Sequence, residues 1–165
     1  MDMYREIPLT KGQVSVVDVD LFDWLNQWKW RGQFNEHTQS YYAFRLSSRK
    51  LGPRYRIWMH REILGLSRGD KRHGDHRESG MTLLNTRENL RIATTSQNCM
   101  NGRRRKSNTT GYKGTYPASR GGGFIANIQI EGKQVYLGTR KTVEEAHELY
   151  RNAAIKHYGE FARLD

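Results

Sequence analysis

The chain holds a single cysteine, three prolines and only 17 acidic side chains in 165 residues. One cysteine, Cys99, excludes an internal disulfide and a cysteine-built zinc site, so a small unit in this chain must be held by packing. No apolar run approaches the roughly 20 residues that a membrane-spanning helix requires. The opening MDMYREIPLTKG has no signal-peptide core, so the expectation is a cytoplasmic protein with no membrane partner. Apolar residues make up 36% of the chain and mean hydropathy is −0.88, which suits small modules better than one large core. Positive charge is what the chain has in excess. Lys and Arg total 28, the net charge is +11, and about +6 of it lies from Asn101 onward. Both halves are basic, which favours a polyanion as partner along the whole molecule. A generic basic surface would account for the charge, but not for the stretch that follows.

That stretch is Lys71–Met100, KRHGDHRESGMTLLNTRENLRIATTSQNCM. Its pattern predicts a short strand ending near Asp75, a turn-rich loop, a second strand over Asn89–Ala93, and a helix. The helix opens at Thr94, where Thr94-x-x-Gln97 fits a capping box, and it carries Asn98 in its first turn or so. A neutral imidazole such as that of His76 takes a proton from water near pH 7. A carboxylate and an amide oxygen, from Asp75 and Asn98, are hard ligands suited to a hydrated Mg²⁺. Asn89 is long enough to hold the second imidazole nitrogen and fix its tautomer. Asp, His and Asn are also common in solvated loops, so these residue types alone leave phosphodiester hydrolysis and a plain polar turn both open.

With Met59-His60-Arg61, Asp75-His76, Asn85, Glu88-Asn89-Leu90-Arg91 and Thr94-x-x-Gln97-Asn98, the chain resembles the HNH endonuclease family, in its phage and intron-homing branch. The resemblance implies a ββα-metal core with His76 as general base and Asn89 as its orienting partner. It also implies Asp75 and Asn98 as ligands of one Mg²⁺ (or Mn²⁺) ion, and a bacterial or phage-infected cell as the setting. His60 stands well before the Asp-His pair, where a structural or phosphate-contacting role is expected, and Arg61 beside it is a candidate DNA contact.

Residues 1–58 read as a β-rich region. Strands are expected at Gln13–Val17, Lys29–Phe34, Tyr41–Leu46 and Tyr55–Trp58, and a short helix over Leu21–Gln27 capped by Asp20. Trp24, Trp28, Trp30 and Trp58 are expected to build an aromatic core, with DNA stacking as the sharper alternative. Arg45, Arg49, Lys50, Arg54 and Arg56 form either a phosphate-following cluster or a solvated face. After the helical segment Met59–Leu66 and the nuclease-like stretch comes a basic run, Gly102–Asn108, in which Arg103, Arg104, Arg105 and Lys106 are candidate DNA contacts.

From Thr110 the pattern changes to strands at Gly111–Tyr116, Phe124–Ile130 and Lys133–Leu137, with a tight hairpin at Glu131-Gly132. Alternation puts Phe124, Ala126, Ile128 and Ile130 on one face and Ile125, Asn127 and Gln129 on the other. Thr142-x-x-Glu145 is a second capping box, opening a helix that runs to Tyr158 with Gly159 as its stop. Gly111-Tyr112-Lys113-Gly114, Tyr136-Leu137-Gly138, Glu144-Glu145-Ala146, Ala153-Ala154 and Tyr158-Gly159-Glu160-Phe161-Ala162 resemble the APETALA2-type DNA-binding domain. That resemblance implies Lys113, Tyr116, Gln129, Gln134 and Tyr136 as DNA-facing residues.

The expected architecture is therefore α+β in three parts: a β-rich region over 1–58, a nuclease core and basic linker over 59–106, and a DNA-binding module over 107–165. The expected activity is metal-dependent cleavage of double-stranded DNA by a monomer, with no small-molecule substrate. A sequence-specific transcription regulator with an inactive nuclease core is the alternative. RNA binding would explain the charge but not the paired base and metal ligands.

Overall fold

The computed structural model describes residues 2–78, 80–102, 104, 107–119 and 121–164. The fold is α+β and β-rich, and it divides into two compact units, Met1–Thr95 and Ser96–Asp165.

The first unit runs β1 (Tyr4–Pro8), β2 (Val14–Asp18), α1 (Val19–Leu25), β3 (Arg31–Asn35), β4 (Ser40–Leu46), β5 (Arg56–Trp58), α2 (Met59–Ile63), β6 (His73–His76), β7 (Leu84–Asn85) and β8 (Leu90–Ala93). Strands β3, β4 and β5 form an antiparallel meander, and β6 pairs antiparallel with β8. Strand β2 pairs antiparallel with β1 on one side and parallel with β7 on the other, through Val16↔Leu84 and Val17↔Asn85. This last pairing joins segments almost seventy residues apart.

One apolar cluster holds the unit. Ile7 of β1, Val17 of β2, Phe22 and Leu25 of α1, Trp30 and Met59 are buried together. In α1, Phe22 and Leu25 stand three residues apart and so share one helix face. Trp30 is fully enclosed and donates its indole N–H to the Leu25 carbonyl at 2.8 Å, and Trp28 packs against the same cluster. The aromatic-core reading holds for these two, while Trp24 stays 37% exposed at the rim. Arg45, expected among the possible phosphate contacts, instead lies 4.2 Å over the Trp28 ring and forms a two-pronged ion pair with Glu62. Residue 58 is no boundary between compact units: Met59 is buried in the same cluster as Ile7, and β7 completes the sheet begun by β1 and β2. The N-cap position of α1 is Asp18, not Asp20, and its carboxylate accepts from the Arg87 backbone N–H at 2.8 Å.

The second unit contains β9 (Thr115–Pro117), β10 (Phe124–Ile130), β11 (Lys133–Arg140) and α4 (Val143–Tyr158), with β10 central in an antiparallel sheet. The unit boundary falls inside α3 (Thr95–Met100). Alternation along β10 is as the sequence predicts, with Ala126 and Ile128 buried and Ile128 packed with Tyr150 and Ala154 of α4. Both residues of the Glu131-Gly132 turn have positive φ, +49° and +78°, as a type I′ hairpin demands. Thr142 and Glu145 complete a reciprocal capping box at the start of α4. Gly114 combines φ of +76° with close approach to the Tyr150 ring, 2.0 Å from where a Cβ would stand, so glycine is required there on both counts.

Candidate active site and nucleic-acid face

The β6–β8 register sets Asp75 directly opposite Arg91 and His76 opposite Leu90. Cross-strand neighbours on one face are within reach of each other, and here Arg91 Nε donates to Asp75 Oδ2 at 2.8 Å with both side chains buried. Strand alternation sends His76 to the other face, the face of Gly74. A Cβ at Gly74 would stand 2.6 Å from His60 Cδ2, so the missing side chain is what lets His60 come down from α2. The two imidazoles then lie with centroids 5.2 Å apart, beside Tyr42 and Trp58.

His76 is buried, and its Nε2 lies 3.2 Å from Asn85 Oδ1. The direction of that bond follows from its neighbours. Ser15 Oγ donates to the Leu83 carbonyl at 3.0 Å, so it accepts from Asn85 Nδ2 at 2.8 Å. The Asn85 oxygen is thereby turned to His76 and accepts from Nε2–H. This relay assigns the proton of the neutral ring to Nε2 and its lone pair to Nδ1. Burial lowers the His76 pKa from its ordinary value, opposed by the Asn85 bond and the Asp75 charge. Burial, with His76 and Arg61 nearby, brings His60 down to about 3. Two neutral imidazoles therefore stand side by side at neutral pH.

Asn89 has a different task from the one the resemblance implies. Its Oδ1 accepts from the Glu78 backbone N–H at 2.9 Å, and its Nδ2 donates to the Met81 and Leu84 carbonyls. It holds the 77–84 loop in shape, and Asn85, four residues earlier, is the partner of His76. Spacing alone does not separate the two asparagines, because which one meets the ring is decided by Ser15 on β2. Arg91 stands in the Glu88-Asn89-Leu90-Arg91 string without a role read for it, and Ser15 is a contributor that no local motif reveals. Asn98 is the fourth residue of α3, half-buried, in the second unit.

Asp75 offers a hard carboxylate donor of the kind that holds hydrated Mg²⁺ with one or two protein oxygens. Its Oδ2 already meets a guanidinium, so a cation there binds beside Arg91 or competes with it. Among the described residues no group of three or more His, Cys, Asp and Glu is arranged to hold a metal ion.

Two expected DNA contacts are otherwise engaged. The Arg61 guanidinium donates to the carbonyls of Arg72, Ser67 and Asp70, clamping the loop before β6. The Lys113 ammonium donates to the carbonyls of Met100 and Gly102 at 2.7 and 2.8 Å. Arg104 is exposed and donates to the Asn108 carbonyl. Arg103, Arg105 and Lys106 lie outside the described residues. The other four share one surface: Tyr116 pairs across from Ile125, Tyr136 from Asn127, and Gln134 from Gln129. Since Ile125, Asn127 and Gln129 point away from α4, all four stand on the open sheet face, with Tyr116 and Tyr136 46% and 62% exposed.

Compared with family models, with curated proteins and with solved structures, the chain matches none of them. No helix among the described residues is long and apolar enough to cross a membrane.

Proposed function

We propose that the chain is a metal-dependent DNA endonuclease that hydrolyses phosphodiester bonds, with the second unit gripping DNA through its open sheet face. The observation that carries this reading is the Leu83–Ser15–Asn85–His76 relay. A buried histidine whose tautomer is fixed through Nε2 and whose ring is kept neutral is prepared to accept a proton at Nδ1. The β6–β8 pair followed by α3 has the strand–strand–helix order of a ββα-metal nuclease core.

In the proposed step, Nδ1 of His76 takes a proton from water as the water oxygen bonds to phosphorus. The bond from phosphorus to the leaving sugar oxygen then breaks, and that oxygen is protonated from solvent. Asn85 holds the imidazolium that forms, since its amide oxygen accepts from Nε2 in either protonation state. A Mg²⁺ (or Mn²⁺) ion, with Asp75 as ligand and Asn98 as the second ligand that the resemblance implies, would supply stabilisation of charge on the phosphate oxygens. On the sheet, paired glutamines and exposed tyrosines are side chains that hydrogen-bond base edges and pack on sugars in a groove.

The second reading, a DNA-binding regulator with an inactive core, draws on the Asp75–Arg91 pair, because a guanidinium on the carboxylate opposes a divalent cation there. Incubation of supercoiled plasmid with the full chain, with Mg²⁺ and with chelator, separates the two. The endonuclease nicks or linearises the plasmid only with the metal. Retardation of the plasmid without any cutting under either condition supports the regulator.

A further inference from the structure

Outside the groups already used, positive charge among the described residues converges on a concavity in the second unit. A cavity of about 690 Å³ lies along the flank of α4, lined by Arg104, Tyr112, His147, Arg151, Arg163 and Leu164. Its three arginines come from three separate stretches: the segment before the 108–114 loop, the helix, and the tail after it. None of the four DNA-facing residues of the open sheet lines it, and no carboxylate among the described residues does.

His147 lines the same cavity. It is buried, with Nδ1 3.0 Å from the Lys113 carbonyl and Nε2 3.0 Å from the Leu164 carbonyl. The rings of Tyr112 and Tyr150 stand beside it, with centroids 5.0 and 5.9 Å away.

Two carboxylates meet groups of the cavity wall. Glu148 reaches Arg151 only at 3.8 Å, with both side chains about half exposed, a geometry that contributes little in water. Glu144 accepts from the Tyr112 hydroxyl at 3.5 Å. Arg104 is held by the Asn108 carbonyl at 3.1 Å, a neutral group that orients the guanidinium without cancelling its charge. Like charges gathered in a concave site raise the local concentration of anions. Guanidinium forks from separate elements are suited to the oxygens of a phosphate.

We propose that this cavity is a binding site for a phosphate-bearing anion, separate from the open sheet face. The inference does not depend on the endonuclease reading, because the probe is inorganic phosphate and not a cleavage substrate. The volume admits a phosphate together with a sugar-sized neighbour, so the phosphate belongs either to a small ligand or to a nucleic-acid backbone.

The test is a titration of the full chain with inorganic phosphate, followed through the arginine side-chain N–H signals in ¹H–¹⁵N spectra, with chloride at equal ionic strength as control. The expected result is saturable movement of the Arg104, Arg151 and Arg163 signals with phosphate and not with chloride. In Arg151→Gln, a change on the exposed helix surface, the remaining two signals should need at least tenfold more phosphate. A short duplex added to the phosphate-saturated protein then identifies the source. Displacement of phosphate assigns the site to backbone phosphates, with the salt slope of duplex binding about 0.9 smaller in Arg151→Gln. Unmoved signals assign it to a small phosphate ligand. Shifts that grow linearly with phosphate, or that chloride reproduces, overturn the proposal.

Discussion

Acid should weaken the first unit through His60. This ring is buried between α2 and β6, and its pKa falls from about 6.5 when exposed to about 3 in the fold, chiefly by burial. Between those values the unfolded chain holds a proton that the folded chain does not, so stability is present above pH 6.5 and is lost as pH falls toward 3. The slope for one proton is about 1.4 kcal/mol per pH unit. From pH 6.5 to 4.5 the loss is on the order of 3 kcal/mol, a large share of the 5–15 kcal/mol typical of a domain. Replacing His60 by Phe keeps a ring against Tyr42, Trp58 and His76 and removes the titration. All four tryptophans lie between residues 24 and 58, so their fluorescence reports the first unit alone. Urea unfolding of the parent and of His60→Phe at pH 7, 5.5 and 4.5 is the assay. The parent should lose on the order of 3 kcal/mol more than the variant across that range, with the share due to His76 present in both. Parallel losses would refute the reasoning and mean that His60 protonates in place.

Asn85→Ala should slow cleavage and move its acid limb to lower pH, because the Asn85 bond raises the His76 pKa; a pH–rate profile reads both, and an unmoved limb would remove Asn85 from the relay. Asn89→Ala should instead cost about 2–3 kcal/mol in urea unfolding, since three backbone groups of the 77–84 loop lose their partner. Lys113→Ala should lower the melting temperature of the second unit and leave the salt slope of DNA binding unchanged, because its ammonium is spent on two carbonyls; a slope reduced by about 0.9 would mean that it meets phosphate. Gln134→Ala should relax preference at a single base pair by roughly 1–3 kcal/mol, measured by binding to a panel of duplexes with one substitution each.

What the sequence made legible is what local chemistry encodes. The capping box at Thr142, the turn at Glu131-Gly132 and the alternation along β10 each involve residues within a few positions of one another, and all three appear in the fold. The β6 and β8 strands were readable for the same reason. Strand β1 was not, because only Ile7 and the chain just after it turn inward and no alternation marks it. The partner of His76 was hidden more deeply. Asn85 and Asn89 are alike in type and close in spacing, and the choice between them is made by the parallel pairing of β2 with β7, which brings Ser15 to Asn85 across seventy residues. The same holds for Arg61 and Lys113. Arg61 is a candidate DNA contact by its place beside His60 and Lys113 by resemblance, while the fold supplies both with carbonyls from loops whose path no local pattern specifies.

The most direct measurement is the single-turnover nicking rate of supercoiled plasmid by the parent and by His76→Ala, both with Mg²⁺ and with folding checked by tryptophan fluorescence. If His76 is the base, the variant binds plasmid as the parent does and cuts it on the order of 10²–10⁴-fold more slowly. Equal rates, or a parent that binds and never cuts, would contradict the account.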